Sequence, residues 1–171
     1  RWQGDSLALL DQTRLPTEEI WDDYTDYRKV VEAIRGLEPP VHPVLGKGIL
    51  ELTDIKSTPY PGASVVPSYC KATYDRRLLV GETKESVLAP IQALLDDLMA
   101  KDPAIRAKVS YAVGEELCYT GNKIQGERFF PGWLYSEDDA FVQDILKELR
   151  AIGQTPEVTQ YSFCTNGSHY A

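Results

Sequence analysis

The fold is decided by two neighbouring stretches of sequence, GKGILELTDIKST (46–58) and ASVVPSYCKATYDRRLLV (63–80). The first is typical of a strand, with apolar side chains at Ile49, Leu50, Leu52 and Ile55. The second alternates in part, through Val66, Tyr69 or Cys70, Ala72 and Tyr74. Since PYPG (59–62) is a turn signal, we predict two successive strands joined by a turn. Pro67 favours an edge position or a bulge near the start of the second strand, because proline cannot donate a ladder hydrogen bond.

A helix is predicted directly after these strands, over residues 83–100. Thr83 is a suitable N-cap, and a single apolar stripe follows at helical spacing, made of Val87, Leu88, Ile91, Leu94, Leu95 and Leu98. Pro90 lies inside this stripe and should kink the helix or delay its start. The alternating sequence IRAKVSYAV predicts a further strand over 105–113.

The segments outside this region give weaker signals. RWQGDSLALLDQ (1–12) contains a Gly4-Asp5 turn signal and predicts a short hairpin. A helix over 25–36 is predicted next, with Thr25 as its cap and Gly36 closing it. Residues 114–135 show no clear period. Ser136 then caps a predicted helix over 137–152, and residues 157–164 are a strand candidate.

The predicted order is therefore β-α-β-β-α-β, followed by a helix and a strand. This order is typical of an α+β fold, a two-layer ferredoxin-like sandwich, here with a C-terminal extension. We expect one antiparallel-rich sheet between residues 6 and 114, with the helices at 25–36 and 83–100 packed on the same face.

The composition narrows the class of protein. With 43% hydrophobic residues the 171-residue chain can bury a real core. Its net charge of -8 disfavours nucleic acid and anionic membrane surfaces as partners. Three widely spaced cysteines, Cys70, Cys118 and Cys164, do not form a disulfide framework. No signal peptide or membrane-length apolar run is visible, so we expect a cytoplasmic location.

The N-terminal sequence RWQGDSLALLDQTRLP (1–16) resembles the opening of methylthioribose-phosphate isomerases. The segment LLDQTRLP, followed by a helix that ends in AIRG (33–36), is characteristic of that family. The resemblance ends there, because Leu-Glu-Pro-Pro replaces the phosphate-site segment that the family has next. It implies that the catalytic cysteine and aspartate of the isomerases are absent.

Residues 37–171 resemble a different family, the co-catalytic zinc peptidases and deacylases that include desuccinylases and YgeY-like hydrolases. The matching stretches are HPVLGKGILELTDIKS (42–57), ASVVPSYCKATYDRRLLVGET (63–83) and FCTNGSHYA (163–171). Asp75-Arg76-Arg77 and Gly81-Glu82 fit the family's Asp-x-Arg and Pro-Gly-Glu pattern, with Val80 in place of proline. The resemblance implies a lid, or dimerisation, domain followed by a return into the catalytic domain.

Together the two resemblances indicate a chimera, recombined or designed. Residues 1–36 would supply an isomerase-like strand and helix, 37–115 the remainder of the lid-like sandwich, and 116–171 a catalytic-domain extension. We predict a non-enzymatic, self-associating domain without cofactor. The alternative is a fragment of a zinc-dependent peptidase or deacylase that keeps residual hydrolase or carboxylate-binding activity.

No set of metal ligands or catalytic residues can be assembled from the sequence. The only histidines are His42 and His169, and the resemblance leaves the family's zinc ligands outside the matched stretches. Glu115 and Glu116 are interpreted as solvated carboxylates rather than a catalytic pair. Cys164 with His169 has the residue types of a nucleophile and its base, but the sequence shows no third orienting group.

The candidate substrate-binding residues are Arg76, Arg77, Thr165, Asn166 and Gly167. Two arginines at a strand end can hold a carboxylate through paired hydrogen bonds. The resemblance implies such a role for Arg77, and it places 165–167 in a cleft-lining loop. The alternative for the arginines is an ion pair with Asp75 or Glu82.

The expected partner is a second copy of the chain. The predicted helix 137–152 and strand 157–163 both need a surface to bury or pair with, and a two-fold homodimer supplies one. Residues 119–135 could act as a hinge for exchange of this tail, with Phe129, Phe130, Trp133 and Tyr135 at the interface. A monomer whose tail folds back on its own sheet is the alternative.

Overall fold

A computed structural model describes residues 5–10, 20–60, 67, 69–161 and 166–170. Its strands are β1 (Asp5–Leu10), β2 (Val41–His42), β3 (Gly46–Lys47), β4 (Ile49–Thr58), β5 (Tyr69–Arg77), β6 (Lys108–Tyr111), β7 (Val113–Leu117) and β8 (Lys123–Glu127). Its helices are α1 (Ile20–Arg35), α2 (Lys84–Lys101) and α3 (Ala140–Ala151), with a 3-10 turn at Asn166–His169. No described helix is long and apolar enough to cross a membrane.

The main sheet has the strand order β4-β5-β1-β6, and every neighbouring pair is antiparallel. In chain order its elements are β1, α1, β4, β5, α2 and β6, which is the predicted β-α-β-β-α-β succession. The predicted α+β class is confirmed. Two short ribbons, β2 with β3 and β7 with β8, lie outside this sheet.

Both helices share one hydrophobic core with the sheet. Buried residues of α1 and α2 meet alternate residues of β5 in a single cluster that contains Val30, Ile34, Ala72, Tyr74, Val87, Ile91, Leu95, Ile105 and Tyr111. Because Ala72 and Tyr74 are two residues apart, they point to the same side of the sheet. The helices therefore cover one face, as predicted.

Helix α2 begins where the sequence predicts. The Thr83 side chain accepts a hydrogen bond from the Ser86 amide at 3.2 Å, and the Ser86 hydroxyl accepts one from the Thr83 amide at 2.8 Å. This reciprocal capping box stabilises the first turn. The expectation that Pro90 delays the start is wrong, because the cap and the burial of Val87 and Ile91 stabilise the turn ahead of it.

Helix α1 begins earlier than predicted. It starts at Ile20, so Thr25 lies inside the helix rather than at its cap. The reason is visible in the sequence. The apolar spacing of Tyr27 continues upstream, at Tyr24 one turn away and at Ile20 two turns away. The predicted hairpin at 1–12 is also wrong for its described part, since Asp5–Leu10 is one strand between β5 and β6.

The predicted strands 46–58 and 63–80 are shorter than expected. The first is interrupted at Gly48, whose amide donates to the Pro40 carbonyl at 2.9 Å, so 46–47 pairs with 41–42 instead. In the second, Leu78–Val80 has left the sheet, and Val66 lies outside the described residues. Pro67 precedes β5, which is an internal strand, so the predicted edge position is wrong. The predicted bulge stays a prediction, since residues 61–66 and 68 lie outside the described residues.

The C-terminal third also differs from its prediction. The predicted strand 105–113 is confined to Lys108–Tyr111, and 114–135 contains the β7–β8 hairpin rather than irregular chain. Helix α3 is capped by Asp139, which accepts from the Phe141 amide at 2.9 Å; Ser136 caps only the preceding turn. No strand forms at 157–161, and 162–164 lies outside the described residues.

The core residue Tyr74 carries an unmatched polar group. Tyr74 is 2% exposed, and its hydroxyl has no hydrogen-bond partner among the described residues. Burial raises the pKa of this phenol to about 12, and the charge of Arg35 offsets part of that rise. The hydroxyl therefore stays neutral at all ordinary pH values, yet its burial without a partner costs stability.

Tyr74→Phe is consequently expected to raise the free energy of unfolding by about 1 kcal/mol, because it removes an unpaired buried hydroxyl and keeps the ring. Urea unfolding measures this change. Tyr60→Phe is the matched control, since Tyr60 is 78% exposed and should show no effect. A clear loss of stability in Tyr74→Phe would show that the hydroxyl is paired.

Candidate functional site

The longest exposed edge of the sheet is β4, which has one strand neighbour, β5, within the part of the chain that the structure describes. It has ten residues, whereas the opposite edge, β6, has four. An edge strand carries amides and carbonyls that point away from the sheet and can pair with another strand. β4 is therefore the principal open pairing surface among the described elements.

A bulge at Thr53 sets which side chains face the helices. The pairing with β5 is regular up to Leu52 opposite Tyr74, skips Thr53, and resumes at Asp54 opposite Thr73. The Thr53 hydroxyl donates to the Thr73 carbonyl at 3.0 Å. Because of this extra residue, Ile55 falls opposite the buried Ala72 and lies on the helix-covered face.

Ile55 is nevertheless 48% exposed, since it lies at the edge of that face. Its neighbours Asp54 and Lys56 lie on the opposite face, where their side chains approach to 3.5 Å. Across the sheet Lys56 is opposite Lys71, a like charge. The centre of the open edge thus presents an apolar side chain on one face and a charge of each sign on the other.

The arginine pair is divided between the two faces of the sheet. Arg76 is 5% exposed and lies on the helix side. Its guanidinium donates to the Glu82 carboxylate, to the Arg77 carbonyl and, at 3.5 Å, to the Ile49 carbonyl. Glu82 in turn accepts from the Leu79 amide at 2.6 Å. The ion pair between Arg76 and Glu82 thus connects the end of β5 to the loop that leads into α2.

Gly48 makes room for this buried guanidinium. A Cβ placed on Gly48 would lie 2.8 Å from Arg76 Nη1 and 3.2 Å from the Pro39 Cβ. Any larger side chain would displace Arg76 from the carbonyls that it contacts. The interruption of the predicted strand 46–58 therefore has a packing cause.

Arg77 lies on the opposite face. Its Nε contacts both carboxylate oxygens of Asp75, at 3.0 and 3.2 Å, and the two side chains are 15% and 20% exposed. Both ion pairs that the sequence offered as alternatives are present, Arg77 with Asp75 and Arg76 with Glu82. Carboxylate binding by these arginines stays a prediction.

The other predicted site residues lie at the C-terminal end. Thr165 is outside the described residues, and Asn166 begins the 3-10 turn. Gly167 lies against the indole of Trp133, where a Cβ would come within 2.3 Å of ring atoms. The two arginine ion pairs lie on opposite faces of β5, Arg76 with Glu82 on the helix-covered face and Arg77 with Asp75 on the other.

His42 and Glu115 have local hydrogen-bond partners. His42 Nδ1 accepts from the Val44 and Leu45 amides, each at 3.1 Å, and so closes the β2–β3 turn. Glu115 accepts from Lys123 at 2.6 Å in the β7–β8 hairpin, and these contacts with Lys123 and Gln125 lower the pKa of its carboxyl. Cys164 lies outside the described residues, and His169 is described only as part of the 3-10 turn.

The part of the chain that the structure describes contains no metal-binding constellation. Among the described residues, no group of three or more histidine, cysteine, aspartate or glutamate side chains converges in a way that could hold a metal ion.

Part of the predicted hinge segment 119–135 is regular structure within one chain. Phe129 packs edge-on against Tyr111 of the core, with ring centroids 5.4 Å apart, and β8 forms at Lys123–Glu127. Exchange of the tail between two copies stays a prediction. Of the apolar face of α3 only Leu146 is buried, while Phe141 and Ile145 are 61% and 44% exposed. This face is a second exposed apolar surface.

The open edge of β4 and the bulge at Thr53 were not predicted from the sequence. The open edge depends on the order of the strands in the sheet, which the alternation within a single strand does not encode. The bulge at Thr53 shifts the alternation by one residue, so simple alternation assigns Ile55 to the wrong face. The signal that was available is the spacing of Leu52 and Ile55, three residues apart on one face, which in a strand requires an extra residue between them.

Comparisons with known proteins fit this architecture. Residues 25–103 match the family described as the peptidase dimerisation domain. The chain is 33% identical over 124 residues to the uncharacterized protein YgeY of Escherichia coli K12, an alignment that covers 72% of this chain and 29% of YgeY. The family match begins inside α1, earlier than the boundary predicted near residue 37, and the three-part division of the chain stays a prediction.

A second, shorter similarity involves a different segment. The chain is 47% identical over 45 residues to methylthioribose-1-phosphate isomerase of Geobacter sulfurreducens, which covers 26% of this chain and 13% of the isomerase. The chain therefore spans less than a third of the length of these relatives.

The fold resembles that of a solved peptidase structure. The crystal structure of the Bacillus subtilis YXEP protein, a dinuclear metal-binding peptidase from the M20 family, aligns with a TM-score of 0.58. The alignment covers 99% of this chain and 39% of that chain at 11% identity, so it shows likeness of fold alone. Both predicted resemblances are thus confirmed: this chain carries a segment that matches the peptidase dimerisation domain, together with a short segment similar to methylthioribose-1-phosphate isomerase.

Proposed function

We propose that the chain is a self-association module, equivalent to the dimerisation-domain part of a metal peptidase or deacylase, and that catalysis is not its own activity. The observation that carries this proposal is the match of residues 25–103 to the peptidase dimerisation domain. The matched range extends from within α1 to just beyond the end of α2 and includes β4 and β5. It therefore contains the longest exposed edge of the sheet.

The physical support is that this domain presents surfaces that a partner would bury. The ten-residue edge of β4 and the exposed apolar face of α3 both leave pairing groups or apolar side chains in water. A two-fold dimer covers the same patch on both copies at once. Of the two surfaces, only β4 lies within the matched range.

Co-expression of two copies with different affinity tags tests the proposal. Capture through one tag is expected to retain the other copy in comparable amount, because each chain offers the same self-complementary surface. Retention should persist in moderate salt, since backbone pairing and apolar burial are insensitive to charge screening. Retention no greater than that of an unrelated tagged protein of similar size would contradict the proposal.

The alternative, a fragment with residual metal-dependent hydrolase activity, predicts a different result. It requires the chain to hold metal ions, as the dinuclear YXEP peptidase does. Metal analysis of protein purified without chelator separates the two proposals. Two tightly held metal ions per chain would favour the hydrolase, and a substoichiometric content supports the self-association module.

A further inference from the structure

We propose that the open face of the main sheet binds an extended, acidic peptide segment of a partner protein through three lysines. These are Lys56, Lys71 and Lys108, which lie side by side across the strands and are called the lysine row. Binding at this face does not depend on the proposed self-association, since it involves the face of the sheet and not its edge.

The register of the four strands fixes the lysine row. Lys56 of β4 lies directly opposite Lys71 of β5, and Lys71 lies opposite Leu10 of β1. Leu10 in turn lies opposite Lys108 of β6. Because neighbouring strands are about 4.8 Å apart, the lysine row crosses the whole sheet over about 14 Å.

The three lysines share the face that α1 and α2 leave open. Ala72 belongs to the core cluster beneath the helices, and Val109 packs against that cluster. Side chains alternate along a strand, so Lys71 and Lys108, the sequence neighbours of these two residues, point to the opposite face. Lys56 lies opposite Lys71 and therefore has the same orientation, with its side chain 68% exposed.

The lysine row is short of negative charge within the chain. Lys56 approaches Asp54 at 3.5 Å, but among the described residues the side chains of Lys71 and Lys108 have no ion-pair or hydrogen-bond partner. Like charges directly opposite each other are unfavourable in a sheet, and Lys56 and Lys71 are such a pair. A bound anion would relieve this repulsion and supply the missing counter-charge.

The length of the lysine row fits three carboxylates of an extended peptide. Residues i, i+2 and i+4 of an extended chain point the same way and span about 14 Å. A peptide that crosses the strands with acidic residues at these positions can place one carboxylate near each lysine. The flexible lysine side chains allow for the unequal spacing within the row.

The neighbouring residues on the same face favour a peptide over a nucleic acid. Asp54 lies one row away from Lys56, and Glu51 and Asp75 lie one row further. A nucleic acid is wider than one row, so some of its phosphates would lie against these carboxylates, which repel them. A single peptide strand can follow the lysine row and avoid the acidic rows. The positive surface is therefore narrow enough to select its occupant.

Fluorescence anisotropy of a labelled peptide tests the binding. The probe has the sequence Glu-Thr-Glu-Thr-Glu, and a second peptide of the same composition, Thr-Glu-Glu-Glu-Thr, has its three carboxylates contiguous. At low ionic strength we expect the unmodified chain to bind the alternating peptide about threefold more tightly than the contiguous one. The Kd should rise as salt is added, because the contacts are exposed to solvent.

The variant that removes the lysine row combines Lys56→Gln, Lys71→Gln and Lys108→Gln. Its Kd for the alternating peptide is expected to rise about tenfold or more, since three charge contacts are lost. Thermal melts establish that the variant is folded.

The matched control removes the same charge from other surfaces. It combines Lys101→Gln on α2, Lys123→Gln on β8 and Lys147→Gln on α3, all of them exposed. Its Kd should stay within about twofold of that of the unmodified chain, because these lysines lie away from the open face of the sheet.

Four results would overturn the inference. The first is that the unmodified chain binds neither peptide, and the second is that it binds both equally. The third is that the control loses as much affinity as the variant without the lysine row, which would indicate a general effect of charge. The fourth is that a short single-stranded oligonucleotide displaces the alternating peptide at equal concentration of negative charge, which would assign the lysine row to nucleic acid instead.

Discussion

Glu82→Gln is expected to lower the free energy of unfolding by about 3 to 5 kcal/mol. The substitution keeps the size of the side chain but removes its charge. Arg76, 5% exposed, would then hold a buried positive charge with no carboxylate beside it. Only neutral acceptors would remain, namely the Arg77 and Ile49 carbonyls and the amide oxygen of the new side chain. Such an uncompensated buried charge costs far more than the ion pair itself contributes.

Urea unfolding of three variants checks this explanation. Glu32→Gln is the matched control, because Glu32 forms an exposed ion pair with Arg28 and should change the free energy of unfolding by less than about 0.5 kcal/mol. Combining Arg76→Met with Glu82→Gln should recover much of the loss, since no buried charge remains. A Glu82→Gln effect no larger than that of Glu32→Gln would show that Arg76 is not dependent on Glu82.

Leu95→Ala is expected to lower the free energy of unfolding by about 3 kcal/mol. Leu95 is 0% exposed and lies in the cluster where α1, α2 and the sheet meet. Truncation removes buried methyl groups and leaves a cavity that the two helices and the sheet cannot fill without moving. The loss should appear in both thermal and urea unfolding.

Leu117→Ala provides the matched control for the core. Leu117 lies in the β7–β8 hairpin and is 70% exposed, so the same truncation should change stability by less than about 0.5 kcal/mol. Equal effects of the two substitutions would mean that α2 does not pack against the sheet as described.

The strongly periodic segments could be predicted from the sequence, and those governed by distant partners could not. The apolar stripe of α2 and its Thr83 cap are local signals, and both are found where predicted. Thr25 is also a good cap by local rules, but the apolar spacing continues upstream to Ile20 and the helix follows it. The β7–β8 hairpin could not be predicted from apolar alternation, because most of its residues are exposed and the alternation is weak.

In the candidate site, too, the local contacts could be predicted from the sequence and the non-local ones could not. The ion pairs of Arg76 and Arg77 involve residues six and two positions away, so sequence proximity was enough to name both partners. The open edge of β4 required knowledge that β1 inserts between β5 and β6, a contact across more than sixty residues. Since that pairing is non-local, a reading of single elements does not reveal which strand is left at the edge.

Self-association of the chain is the central claim, and sedimentation equilibrium over a range of micromolar concentrations tests it most directly. The account predicts a mass that rises with concentration from that of one chain, 19.2 kDa, towards twice that value, with no larger species. A single species that keeps the mass of one chain at the highest concentration reached would contradict it.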